Sequence, residues 1–184
     1  MSTKRISVIA VILIALSFGG CAKQVGEDQV VQIAQSIQIG AELVTGQGLK
    51  LLTTKKPEEV PGAITDLQSI VEIAPKYSDG QVSVSDVTFT VTTVLNRLNA
   101  RFGLVEGEGT EYILASLNAV SRIVEIYFTE ASLPSEFGIY VNALAVGVQD
   151  GLDAYYETLT VVPAGSIGGI PIAPHAVVFG QVMP

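Results

Sequence analysis

The chain of 184 residues has no tryptophan, one cysteine and one histidine, and its ten lysines and arginines face 18 aspartates and glutamates. Each scarcity removes a class of function. A single cysteine allows no internal disulfide framework, so a folded domain must be held by its core alone. His175, between Pro174 and Ala176, has no sequence partner that would position it as a general base. A zinc site would need carboxylates at no recognisable spacing. Without tryptophan there is no such platform for sugar stacking. Asp150, Asp153 and Glu157, three acids at helical spacing, therefore read as a solvated helix face and not as a glycosidase pair. Glu106, Glu108 and Glu111 surround a Gly-rich linker but lack the Asp-rich ligand order of a calcium loop. Gly165-Ser166-Ile167-Gly168-Gly169 lacks the lysine and following helix of a phosphate-binding loop. The acidic balance argues against nucleic acid, whose phosphates demand a basic surface. The chain is thus expected to be non-enzymatic, with no cofactor and no metal.

What is present begins at the N-terminus. Lys4 and Arg5 precede an apolar run from Ile6 to Phe18, closed by Gly19, Gly20 and the lone Cys21. This is the layout of a secretory signal. A run of about 13 residues is short for a membrane span, which needs roughly 20. Leu16 to Cys21 resembles the lipobox of bacterial lipoproteins, with Phe18 where that family usually carries leucine. The resemblance covers residues 1–22. It implies cleavage between Gly20 and Cys21, acylation of Cys21 and attachment to a membrane through its acyl chains. Ala22 in place of aspartate implies sorting to the outer membrane, facing the periplasm, in a Gram-negative host. Two or three chains anchor stably where one does not, since each buried methylene contributes about 0.8 kcal/mol. Loss of Lys4 and Arg5 with the signal leaves 8 basic residues against 18 acidic ones, a net charge of −10.

Residues 1–20 are therefore assigned to the signal, 21–26 to the acylated cysteine and a short tether, 27–159 to a helical domain and 160–184 to a tail. From Glu27 to Leu52, Ala34, Ile37, Ala41, Val44, Gly48 and Leu51 recur at steps of three and four, a face of alternating small and large residues. Gly46 and Gly48 lower helix propensity enough to predict a kink or an end near Thr45 to Gly48. Pro57 and Pro61 suit a first helical turn. The next helix is expected to bury Ile64, Leu67, Val71 and Ala74 and to be closed by Pro75, with a turn over Tyr77 to Gly80.

Val82 to Val94 fits two templates. Val87, Phe89 and Val91 alternate with threonines as in a strand, while Val84, Val87, Val91, Val94 and Leu98 keep helical spacing, with Ser83 and Asp86 as a capping pair and Gly103 as a stop. Helix is chosen, because an isolated strand has no backbone partner. Thr110 is read as the cap of a helix with face Ile113, Leu117, Val120, Val124 and Tyr127, ending near Ser132. A last helix opens at Pro134, capped by Ser132, with stripe Phe137, Val141, Leu144, Val148, Leu152, Tyr155 and Leu159. Its Ala143, Gly147 and Gly151, four apart, predict close packing within a bundle. Short connectors between amphipathic helices give an all-α antiparallel bundle of four to five helices.

From Thr160 the chain turns to Val, Ile, Pro and Gly, which excludes helix for most of it. This extended tail is too apolar for a free linker. It either straps the bundle or docks on a partner, and Ile170, Ile172, Val177, Val178 and Phe179 are the candidate contact residues. The expected role is a membrane-anchored lipoprotein whose helical domain is a non-enzymatic interaction or structural module of the cell envelope, with an envelope protein as partner. A small-ligand or lipid carrier with a cavity between helices is the alternative, and a phage-encoded envelope lipoprotein acting in exclusion or lysis also fits the size.

Overall fold

Residues 84–94, where valine and threonine alternate, are helical because of how the segment starts. Ser83 Oγ accepts the Asp86 backbone N–H at 3.2 Å, and the Asp86 carboxylate accepts the Ser83 N–H at 2.9 Å. This reciprocal capping box satisfies two of the backbone donors that a helix start leaves open. Thr88 Oγ1 then bonds the Val84 carbonyl at 2.8 Å, so a β-branched polar residue is accommodated inside the first turns. Once the helix forms, Val87, Val91, Val94, Leu95, Leu98 and Phe102 share one buried face.

The computed structural model describes residues 27–107, 109–130 and 134–160. Gly20, Cys21, Ser132, His175 and the five candidate contact residues of the tail lie outside them. The described residues form α1 (Glu27–Lys55), a 3-10 turn (Pro57–Glu59), α2 (Val60–Ser78), α3 (Val84–Gly103), α4 (Thr110–Glu130) and α5 (Pro134–Thr160), and include no strand. The all-α bundle expected from the sequence is the fold, with five helices.

Short connections reverse the chain at each step, so odd-numbered helices run one way and even-numbered helices the other. α1 and α5 are consequently parallel. Gln38 meets Gly147, Thr45 meets Gly151, and the Thr53 hydroxyl lies 2.8 Å from that of Tyr155, all ascending together. α5 packs between α1 and α2, and α3 and α4 complete the ring back to α1. The bundle therefore has two poles. At one, the N-terminal ends of α1, α3 and α5 meet the C-terminal ends of α2 and α4, where the Phe137 ring stacks edge-on with Tyr77 at 5.0 Å and tilts against Phe128 at 4.8 Å. At the other, Lys55 reaches the α3–α4 loop at Gly107.

The predicted ridge of small residues on α5 is what brings α1 so close. A methyl group on Gly147 would overlap the Gln38 carbonyl oxygen and lie 2.9 Å from the Gln38 Cα, and one on Gly151 would lie 2.6 Å from Thr45 Cβ and 2.7 Å from the Glu42 carbonyl oxygen. On α1 the small residues serve different neighbours. Gly40 accepts Val120 of α4, and Gly48 accepts the Phe102 ring of α3. Around these contacts Ile37, Leu49, Leu52, Ile70, Val87, Val91, Leu117, Tyr140 and Leu144 are sealed from water. Burial of one such side chain stabilises by about 1.5–3 kcal/mol.

Several local expectations are corrected. α1 runs through Thr45–Gly48 to Lys55 without ending, because Gly48 is buried against Phe102 and packing outweighs propensity. Pro75 does not close α2. It sits exposed in the last turn, where its missing N–H costs one carbonyl its partner. The helix is ended by the Gln81 N–H bonding the Lys76 carbonyl at 2.9 Å and the Gly80 N–H bonding that of Tyr77 at 3.0 Å. Gly80 takes φ +68, the left-handed conformation this closure needs. The buried face of α2 is centred on Ala63, Leu67, Ile70 and Ala74, with Ile64 and Val71 at its margin. Thr110 is buried and its hydroxyl has no hydrogen-bond partner, so it does not cap α4. Leu159 is 46% exposed and falls outside the core stripe of α5.

Candidate functional site

Asp66 lies on the buried face of α2, between Ala63 and Ile70, and would be an isolated charge without partners. α3 supplies them. Arg97 and Arg101, one turn apart, reach its two carboxylate oxygens: Arg97 Nη1 to Oδ1 at 3.0 Å and Arg101 Nη2 to Oδ2 at 3.2 Å. Arg101 Nη1 also donates to Glu59 of the 3-10 turn. The Arg101 guanidinium lies over Gly62, where any Cβ would sit 2.6 Å from Nη2. Ionised partners on both oxygens offset the desolvation of Asp66. Both Asp66 carboxylate oxygens are engaged, while Arg101 Nε is buried without a partner and Arg97 is largely exposed. The cluster clamps α2 to α3 and connects the start of α2 to the end of α3. Sequence reasoning missed it, although an acid one turn from Ala63 and Ile70 and two arginines four apart were the available signals.

The acids singled out on α5 do not converge. Asp150 accepts from Gln38 Nε2 of α1 at 3.2 Å, and Asp153 accepts from Gln149 at 2.8 Å on its own helix. Asp153 and Glu157 are exposed. Among the described residues there is no group of three or more His, Cys, Asp or Glu that could hold a metal ion, Glu106 and Glu111 included.

Two tyrosines are perturbed, Tyr140 in the core and Tyr156 on the exposed side of α5. Tyr140, almost wholly buried, is pushed up to about 12, first by burial and then by the nearby Glu136 and Tyr127. Tyr156 is raised by burial, Tyr155 and Asp153. Both are thereby held as neutral phenols, and a phenol that ionises only in strong alkali is a poor base at neutral pH.

An open hollow lies beside the start of α3, lined by Val84, Phe89 and Phe128 together with Ser85, Thr88 and Thr92. Phe89 is 74% exposed, the most of any large apolar residue described. The helical register explains this, since Phe89 falls between Val87 and Val91 in sequence but off their common face. None of the described helices is long and apolar enough to cross a membrane.

The fold and its sites thus define an all-α bundle with an ion cluster between helices and an exposed aromatic hollow. Comparison with protein-family models, with curated proteins and with solved structures finds no match for this chain.

Proposed function

We propose that the chain is a bacterial lipoprotein, anchored through acyl chains on Cys21, whose five-helix domain serves as an interaction or structural module of the cell envelope. The observation that carries this is the sequence Lys4-Arg5, apolar run, Gly19-Gly20-Cys21, followed after five residues by the start of α1. The bundle supports the non-enzymatic part. The α1–α5 seam is closed to backbone contact by Gly147 and Gly151, and Asp66, the buried carboxylate, is engaged by two arginines. A carrier with an inter-helix cavity is favoured less, because small residues here draw helices together where a cavity would hold them apart. The acidic surface and the apolar tail are the parts left to meet a partner.

The test is site-specific photocrosslinking in the host envelope. Crosslinkers at Ile172 and Val178 should capture one defined envelope protein, and a crosslinker at Asp153 should not. That capture should disappear in Cys21→Ser. Recovery of no specific protein from either tail position would remove the interaction role, and a lipid extract enriched in one species over background would restore the carrier.

A further inference from the structure

The tether between Cys21 and Glu27 is five residues long, and fully extended it spans about 20 Å. A bundle on so short a leash cannot present its poles to the membrane equally. α1, of 29 residues, is about 43 Å long, so the pole where α1 begins is held near the bilayer and the other stands away from it.

The near pole is the one that exposes apolar side chains within the first two turns of every ascending helix. Val31 of α1 is 53% exposed, Val84 and Phe89 of α3 are 39% and 74%, and Ile139 of α5 is 45%. Three of the four described lysines lie at the far pole, Lys50 and Lys55 in the last turns of α1 and Lys56 following, and only Lys76 lies at the near one. Leu104 and Leu159 are exposed there too, beyond the reach of the tether. We propose that the pole where α1, α3 and α5 begin is a bilayer-contacting surface, with Phe89 and Val84 of α3, Val31 of α1 and Ile139 of α5 entering the interfacial layer of the membrane that holds the anchor. The inference rests on the anchoring proposed above.

The charge at this pole selects the kind of lipid. Asp28, Asp79 and Asp86 are exposed there, and hydrogen bonds from the Ser83 side chain and backbone lower the pKa of Asp86 and keep it ionised. Lys76 is the one described lysine near them. Anionic headgroups would repel such a surface, whereas an aromatic side chain enters the interface of a zwitterionic bilayer by burying apolar area alone. The contact is therefore with neutral, zwitterionic lipid, and it sets the orientation of a domain whose attachment is supplied by the acyl chains.

The chain's lack of tryptophan makes the test direct. Mature, acylated protein beginning at residue 21 and carrying Phe89→Trp, Val84→Trp or Leu104→Trp is reconstituted in phosphatidylcholine vesicles with and without brominated acyl chains, and emission is read alongside vesicle co-sedimentation and circular dichroism. Phe89 is exposed, so its replacement adds no strain to the core, and Val84 gives a second probe at the same pole. Quenching at positions 89 and 84 should clearly exceed that at 104, and should weaken when anionic lipid is added. Equal quenching at the two poles in protein that sediments with vesicles overturns the inference while leaving the anchor intact. Blue-shifted but unquenched emission at 89 also overturns it, because the residue is then covered by protein, either the chain's own tail or a second copy. Protein that fails to sediment overturns the anchoring itself, and the inference with it.

Discussion

Gly147→Ala is the substitution that most sharply probes how this bundle is held together. In isolation the change should help, because alanine is favoured over glycine inside a helix by about 1 kcal/mol. In α5 the new methyl would overlap the Gln38 carbonyl oxygen and lie 2.9 Å from both the carbonyl carbon and Cα of that residue. Ordinary carbon contacts lie at about 3.5–4.0 Å, so α1 and α5 would have to separate by about 1 Å. The obstacle is backbone, which cannot rotate aside as a side chain would. The cost should therefore approach the upper end of the overpacking range, about 3 kcal/mol. Less the gain in propensity, the net destabilisation is about 2 kcal/mol, a roughly 30-fold fall in the folded-to-unfolded ratio. Gly103→Ala is the control. Gly103 is the last residue of α3, and nothing lies within 4 Å of an added Cβ, so this variant should be more stable by about 0.5–1 kcal/mol. Urea unfolding followed by circular dichroism reads both. If Gly147→Ala is as stable as the parent while Gly103→Ala gains, the α1–α5 seam is not closed by backbone contact and the packing argument fails.

Asp66→Ala should destabilise by about 2 kcal/mol, because it leaves the Arg101 guanidinium partly buried with only Glu59 to receive it. The exposed Lys56–Glu58 pair, 3.9 Å apart, should change stability by less than about 0.5 kcal/mol when Lys56 is replaced; equal losses in the two unfolding curves would contradict the role given to the cluster. Tyr140 has its folded pKa raised to about 12, so the stability it contributes is complete below about pH 10 and is lost as pH rises from there through about 12. Tyr140→Phe should flatten that alkaline decline, and an unchanged slope would refute the assignment. Asp86 has a lowered pKa, so its contribution is present above about pH 4 and is lost as pH falls through its folded value. Ser83→Ala removes the side-chain hydrogen bond and leaves the backbone one, so it should reduce that acid dependence and expose the start of α3 to faster amide exchange.

What could be read from the chain in advance was whatever depended on local periodicity. The valines of α3 and the stripe of α5 each repeat at three and four, and each is buried as that spacing requires. The capping pair at Ser83 and Asp86 was legible because both halves of the box are local. Pro75 was misleading for the complementary reason. A proline is a local stop signal, but the end of α2 is set by Gly80, five residues on, whose left-handed conformation completes the closure. Gly48 misled in the same way, since its low propensity is visible in sequence and the Phe102 ring that packs on it is not.

The sites were less legible than the fold because they are made between helices. Asp66, Arg97, Arg101 and Glu59 come from three elements, and no sequence period connects them. Phe89 shows the converse: choosing helix for residues 84–94 already removes it from the valine face, so its exposure follows from the choice. The parallel arrangement of α1 and α5 likewise follows from an odd number of helices joined by short connectors, and it is what places the ends of α1, α3 and α5 at one pole.

The proposed role depends on Cys21, and the most direct measurement is the intact mass of the protein extracted from host membranes beside that of Cys21→Ser. A mature chain beginning at residue 21 and carrying two or three acyl chains, with both features lost in the variant, is the expected result. An unmodified, uncleaved chain in the parent would contradict the lipoprotein reading and detach the bundle from the membrane surface on which its proposed role depends.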